Sequence, residues 1–252
     1  MARGLKITAG SGLHKGDRDY QQDQLGLFPH PHSKQCLLAV IADGMGGRSG
    51  GRKASDQVLL TAHQLFARFS PETDSPHTLL AQIVDDAHMV IRLTAVSAEQ
   101  EPHSTLAAFL LMPNGSCHWA HVGDSRIYHY QRHRLIKRTV DHSYVQSLVD
   151  KGVLSPEQAN SHPQSNVLMA CLGTETPPPF STYTVDAVQA GDTLMACSDG
   201  VWHYLSETEI GLILDESTPK QGCEALIGVA RERAMGHGDN LSVVVVKFEQ
   251  RA

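Results

Sequence analysis

The apolar positions of this chain fall into two rhythms that replace one another along its length. Cys36-Leu-Leu-Ala-Val-Ile-Ala42 is a short run of strand formers that stops at Asp43-Gly-Met-Gly-Gly-Arg-Ser-Gly-Gly51, which predicts a buried strand delivering Asp43 at its end. Beyond the glycines, Val58, Ala62, Leu65, Phe66 and Phe69 recur at helical spacing, and so do Leu80, Ile83, Val84, Ala87, Val90, Ile91 and Thr94. Two amphipathic helices are expected there. From Ser104 to Lys137 the pattern is that of strands: Thr105 to Met112, a turn at Pro113-Asn-Gly115, Cys117 to Val122, then Ile127 to Tyr130. It predicts an antiparallel meander, with Asn114-Gly115 supplying the positive φ of a tight turn.

The stretch from Asp141 to Leu172 is more polar, with two short helical patterns and His162-Pro163. It reads as an excursion over the surface, a mobile flap at about 143–170. The opening logic then repeats. Thr193-Leu-Met-Ala-Cys197 is a strand that stops at Ser198-Asp199-Gly200, helical patterns run from Glu207 to Met235, and Asp239-Asn240 precedes Leu241-Ser-Val-Val-Val-Val-Lys-Phe248, the strongest strand pattern in the chain. Strands, paired helices, strands, helices and a final strand suggest sheets covered by helices in layers. Carboxylates at strand ends could then converge on one edge.

Composition narrows the picture. No linker or composition break divides the 252 residues, so one domain is expected. A net charge of −6 gives no reason to expect a nucleic-acid partner. The densest basic stretch, Arg126 to Arg138 with Arg132, Arg134 and Lys137, reads as a solvated strand face. Met1 to Gly10 lacks the apolar core of a signal peptide, and no apolar run approaches the ~18 residues of a membrane span, so a cytoplasmic location away from membranes is expected. Cysteines 36, 117, 171, 197 and 223 show no C-x-x-C spacing and read as reduced core thiols.

Carboxylates brought together out of water repel one another, so a cluster of them must take up protons or bind cations. Oxygen-only ligation favours magnesium or manganese over zinc, and the 15 histidines show no zinc-site spacing. One Asp at a strand end beside Gly is more often a turn residue than a ligand. Three in one chain shift that weight, although the pattern alone leaves open whether these ends are neighbours in space.

Arg18-Asp-Tyr-Gln-Gln-Asp23, Asp43-Gly-Met-Gly-Gly47, Val122-Gly-Asp-Ser-Arg126, Asp141-His-Ser143, Ser198-Asp-Gly200 and Asp239-Asn240 together resemble, in order and spacing, the metal-dependent protein phosphatases (the PPM family, type 2C Ser/Thr phosphatases). The resemblance spans nearly the whole chain, including His162-Pro163 and Asn166 to Gly173. It implies an α+β fold, a four-layer α-β-β-α sandwich of two mainly antiparallel sheets flanked by helix pairs, with the metal site at one edge. It further implies two Mn2+ or Mg2+ ions, with Asp43 bridging them, the Gly44 carbonyl joining the second, Asp199 and Asp239 holding the first, and Asp23 completing the site. In such a site a shared water loses its proton and attacks phosphorus in line. By the same resemblance Arg18 binds phosphate oxygens through its planar fork, and Asp124 with Asp199 takes a third metal. Asn240 and His142 match family positions but stay outside the catalytic set, since orienting roles serve them equally well.

Two departures stand out. The frequent Asn-Glu-Asp of the first block is Gln21-Gln22-Asp23, and Met45 stands where many eukaryotic members carry a His proposed as general acid. Other phosphate chemistries fail in detail. Gly46 and Gly51 have phosphate-loop spacing but are followed by Arg52-Lys53, and no cysteine has Arg six positions later. The implied reaction is hydrolysis of phosphoserine and phosphothreonine in proteins, opposing a Ser/Thr kinase, by a monomer of the bacterial stand-alone type. A small-molecule phosphoesterase and an inactive phosphoprotein-binding relative are the alternatives.

Overall fold

The computed structural model describes residues 5–98 and 101–251, so the first four residues of the stretch read above for a leader lie outside the described part. In chain order the elements are β1 (Leu5–His14), β2 (Gln24–Pro29), β3 (Leu37–Ala42), β4 (Gly44–Met45), α1 (Gly47–Phe66), α2 (Pro76–Ala98), β5 (His103–Ser104), β6 (Leu106–Leu111), β7 (Cys117–Val122), β8 (Arg126–Gln131), β9 (Arg134–Arg138), α3 (Tyr144–Asp150), α4 (Pro156–Asn160), β10 (Ser181–Val185), β11 (Asp192–Cys197), α5 (Asp199–Trp202), α6 (Glu207–Glu216), α7 (Pro219–Ala234) and β12 (Leu241–Gln250). They build two five-stranded sheets, ordered β1-β12-β11-β8-β9 and β10-β7-β6-β3-β2, with a two-residue ladder of β4 and β5 beside them. Each of these strand pairs is antiparallel.

The strongest apolar runs are continuous rather than alternating because both faces of their strands are covered. Leu38 and Val40 of β3 and Leu106, Ala108 and Leu110 of β6 pack with Val58, Phe66, Ile83 and Ile91 of α1 and α2. Their neighbours Ala39, Ile41, Ala107 and Phe109 turn the other way and meet Leu194, Ala196, Val244 and Val246 of the second sheet. On the far side Met195, Val243 and Val245 pack under Ile210, Leu214, Leu226 and Ala230 of α6 and α7. Three cores between four layers give the α-β-β-α sandwich that the resemblance implied.

One expectation is corrected. The hairpin of β6 and β7 forms, but β8 leaves that sheet and pairs with β11 and β9 in the other, so the three strands are not a meander. The chain is redirected at Gly123, whose φ of +96° is open to glycine at low cost. At the β6–β7 turn only Gly115 takes positive φ, and Asn114 contributes instead through its side chain, which accepts from the Ser116 N–H at 2.9 Å.

Antiparallel pairing also explains why the sites gather. Asp43 follows the end of β3, and Asp23 precedes the start of its partner β2, where Gln24 pairs with Ala42. Asp199 follows β11, and Asp239 lies just before β12, whose Val243 pairs with Cys197. Asp124 sits in the crossing from β7 to β8, and Arg18 follows β1, whose His14 pairs with Leu241. Each end belongs to the same edge of the sandwich. Between Asp141 and Leu172 the chain carries only the short helices α3 and α4, before returning through isolated bridges of Ser143 with Leu168 and Ser104 with Leu172.

Candidate metal centre

Asp43 is fixed by its own backbone. Its N–H donates to Thr105 Oγ1 at 3.0 Å, its carbonyl accepts from the Thr105 N–H at 2.9 Å, and Thr105 Oγ1 lies 2.7 Å from Ser125 Oγ. One threonine thus ties the end of β3 to the turn that carries Asp124. Across that turn the Trp202 indole donates to the Asp124 carbonyl at 2.9 Å. The Arg126 guanidinium lies 3.5 Å over the Trp202 ring and forks onto Asp141 through Nε at 2.8 Å and Nη2 at 2.6 Å. Both side chains of that pair are nearly buried, at 11% and 7% exposure. Arg126→Ala would strand the Asp141 carboxylate, so it is expected to cost about 3–5 kcal/mol. A fall in melting temperature of roughly 10 °C follows for a chain of this size, and thermal denaturation reads it.

The opposite wall is stapled just as closely. Asn240 donates through Nδ2 to the Lys15 carbonyl at 2.8 Å and the Tyr20 carbonyl at 2.9 Å, and its Oδ1 accepts from the Gln22 N–H at 2.6 Å. It therefore holds the loop bearing Arg18 and Gln22 against Asp239. Gln22 turns its amide onto the Gly47 carbonyl at 2.6 Å, at the first turn of α1. Asp23 is set behind this wall. It is 1% exposed and accepts from Ser198 Oγ at 2.6 Å, and Ser198 in turn contacts Ser242 Oγ at 3.0 Å.

Between the walls is a cleft of about 260 Å³ bordered by Arg18, Gln22, Asp43, Gly44, Met45, Asp124, Asn166, Leu168, Asp199, Asp239 and Asn240. The candidates Asp43, Gly44, Asp124, Asp199, Asp239 and Arg18 all line it, whereas Asp23 does not. Burial, reinforced by the other carboxylates, pushes the Asp43 and Asp199 carboxyls well above the ordinary range. Burial, with the Asp239 charge adding to it, raises Asp23 to about 6 against the lowering effect of its Ser198 and Ser242 hydrogen bonds. Burial and then Asp141 raise Asp124 to about 7. Asp199 Oδ1 is shielded from solvent and has no hydrogen-bond partner. An orphaned carboxylate oxygen among mutually repelling carboxylates is what a hard cation relieves, so the oxygen-donor set fits magnesium or manganese.

The set is not a closed cage. Among the described residues no three His, Cys, Asp or Glu side chains stand close enough to hold an ion as they are. Asp239 Oδ2 is turned to Arg18 Nη2 at 2.5 Å, and Asp23 is turned to Ser198. Closing the site requires the side chains to regroup about the ion.

His142 stacks on His121 at a ring separation of 4.6 Å. Its Nε2 is 3.0 Å from Ser181 Oγ and its Nδ1 accepts from the Gly123 N–H. Burial and the neighbouring His121 lower it to about 4, so it is a neutral positioning group rather than a proton donor. Thr105, Trp202, Ser198 and Asn166 were missed as site residues. Ser198 was visible only as the neighbour of Asp199, and nothing in the sequence pattern marks Thr105.

Comparison with known proteins gives a consistent picture. The family described as Protein phosphatase 2C matches residues 13–218. The serine/threonine phosphatase stp of Listeria monocytogenes is 30% identical over 233 residues, covering 91% of each chain. Among solved structures, the serine/threonine phosphatase Stp1 of Staphylococcus aureus superposes with a TM-score of 0.87 at 26% identity, covering 98% of this chain and 96% of that one. The catalytic domain of the serine/threonine protein phosphatase PstP, in complex with two manganese ions, superposes with a TM-score of 0.80 at 28% identity, covering 98% of this chain and 100% of that one.

Proposed function

The chain belongs to the Protein phosphatase 2C family, and on that premise we propose how its residues divide the work of dephosphorylation. It is a protein serine/threonine phosphatase that uses divalent metal ions and acts on phosphoproteins. Asp43 would serve both of two Mn2+ or Mg2+ ions, the Gly44 carbonyl one of them, and Asp199 and Asp239 the other. In the same reading Asp124 would join Asp199 in holding a third, which the presence of both at the cleft supports, and Asp23 acts from behind the wall through its charge and its bond to Ser198. The observation that carries this reading is the shielded, unpartnered Asp199 Oδ1 within a cleft of raised carboxyls. Bound ions at such a site neutralise charge on phosphorus and lower the pKa of water.

The chain's own residues do the rest. Thr105, Trp202 and Asn240 fix the backbones of Asp43 and Asp124 and the Arg18 loop, so only side chains have to regroup about an ion. Arg18 borders the cleft from the solvent side and offers a planar pair of donors to the phosphate oxygens. Met45 has no proton to give and burial holds His142 neutral, so the proton for the leaving alkoxide comes from water or from another residue of the cleft.

The domain is read as one unit over 1–252, with a movable flap at 143–170 bringing Asn166 and Leu168 to the cleft. Among the described residues no helix is long and apolar enough to cross a membrane. A monomer working in the cytoplasm against a Ser/Thr kinase, as a bacterial stand-alone enzyme, completes the proposal. Phosphate release from a phosphothreonine peptide is the test, run with manganese, with excess chelator, and against free phospho-metabolites. Manganese-dependent release from the peptide, at a kcat/KM well above that for the metabolites, is expected. Preference for the metabolites would replace this reading with a small-molecule phosphoesterase.

A further inference from the structure

We infer that Arg18 is shared between Asp239 and the substrate phosphate, so that a cation arriving at Asp239 releases the guanidinium to the phosphate; this deepens the two-cation reading above and rests on it. Asp239 offers its two oxygens unequally. Oδ1 accepts the Asn240 N–H at 2.7 Å, whereas Oδ2 accepts from Arg18 Nη2 at 2.5 Å. The oxygen free of backbone ties is the one that guanidinium and cation compete for.

The exchange requires no loop movement. The Asp17 N–H donates to the Gly238 carbonyl at 3.0 Å and the Gly238 N–H to Asp17 Oδ2 at 2.7 Å, while Asn240 bonds the Lys15 and Tyr20 carbonyls. Gly16, at φ +64°, lies so close that a Cβ there would stand 1.9 Å from the Asp239 carbonyl oxygen. With the backbone pinned on both sides of Arg18, only its side chain has to turn. That side chain is 60% exposed, so its ion pair with Asp239 is weak enough to be displaced, by about two- to fivefold in an equilibrium constant. Arg18 also borders the adjoining cleft lined by Asn166, His203 and His237, which gives the released guanidinium room. Coupling of this kind is reciprocal: the cation tightens phosphate binding, and phosphate tightens cation binding by the same factor.

Manganese binding to the full chain, followed by the electron paramagnetic resonance of free Mn2+, separates the possibilities without turnover. In the absence of phosphate, Arg18→Gln is expected to bind manganese about two- to fivefold more tightly than wild type. Lys15→Gln removes the same charge from the same loop without touching Asp239, and is expected to change affinity less. Adding inorganic phosphate, with correction for its complex with the ion, should tighten manganese binding in wild type and do so less in Arg18→Gln. The inference is overturned if Arg18→Gln binds no more tightly than wild type, if Lys15→Gln matches it, or if the phosphate effect survives undiminished in Arg18→Gln. Asp239→Asn guards the premise. If it leaves manganese binding unchanged, the cation-site reading itself falls, whereas weakened binding there with silent Arg18 arms removes the coupling alone.

Discussion

Asp43→Asn is expected to abolish turnover and, at the same time, to make the cation-free protein more stable. The first effect follows from taking away the carboxylate assigned to both ions. Metal stabilisation of the transition state is worth several kcal/mol, so kcat should fall on the order of a thousandfold or more at saturating manganese. The second follows from the electrostatics of the cleft. Asp43 is raised by burial first and then by Asp23, Asp199, Asp124 and Asp239, so its charge opposes folding whenever no cation offsets it. An amide keeps the backbone bonds to Thr105 and removes that repulsion. A higher melting temperature than that of wild type is therefore expected in chelator. A structural role for Asp43 predicts the reverse sign, so thermal denaturation in chelator, paired with the turnover assay, decides between them.

Acidity should act on this protein in the direction opposite to that of a salt-bridged carboxylate. Asp23 is raised to about 6 and Asp124 to about 7, by burial foremost, while both lie near 3.9 in the unfolded chain. Between about pH 4 and pH 7 the native state therefore binds protons that the unfolded state has lost, and the stability contributed by these groups falls as pH rises. Manganese binds the ionised carboxylates, so the stabilisation it confers should grow through the same interval as protons cease to compete. The difference between the manganese and chelator unfolding curves isolates the cleft, because other titrating groups contribute to both. It should widen from pH 5 to pH 8 by about 2 kcal/mol or more, given that one pKa unit is about 1.4 kcal/mol. A constant difference over that range would show that no cleft carboxylate changes its protonation on binding.

The parts of the fold that were legible in the sequence are those whose burial is two-sided. β3, β11 and β12 are covered on both faces, and their unbroken apolar runs stood out, together with the carboxylates at their ends. β1 did not stand out, because Leu5–His14 carries glycines at positions 10 and 12 and alternates polar residues. The structure gives the reason. A Cβ at Gly10 would stand 2.6 Å from the Lys220 backbone nitrogen, and one at Gly12 would stand 2.7 Å from Ile227 Cδ1. The small residues let α7 lie directly on the strand, at the expense of the strand signal.

In the site, the ligand aspartates were readable from motif order, but their supports were not. Arg126 heads the basic stretch that read as a solvated strand face. Arg132, Arg134 and Lys137 are indeed exposed, yet the Arg126 side chain is nearly buried between Trp202 and Asp141. Charge patterning cannot separate a guanidinium paired through tertiary contacts from one in water, because its partner lies 15 positions away. Thr105 is hidden for a similar reason, since its importance lies in where the sheet places its hydroxyl, between Asp43 and Ser125.

The most direct test of the central claim is anomalous diffraction at the manganese edge from crystals grown with Mn2+. Two strong peaks are expected in the cleft, both bordered by Asp43, with Asp199 and Asp239 on one and the Gly44 carbonyl on the other. Manganese absent from the cleft, or bound only at surface histidines, would contradict it.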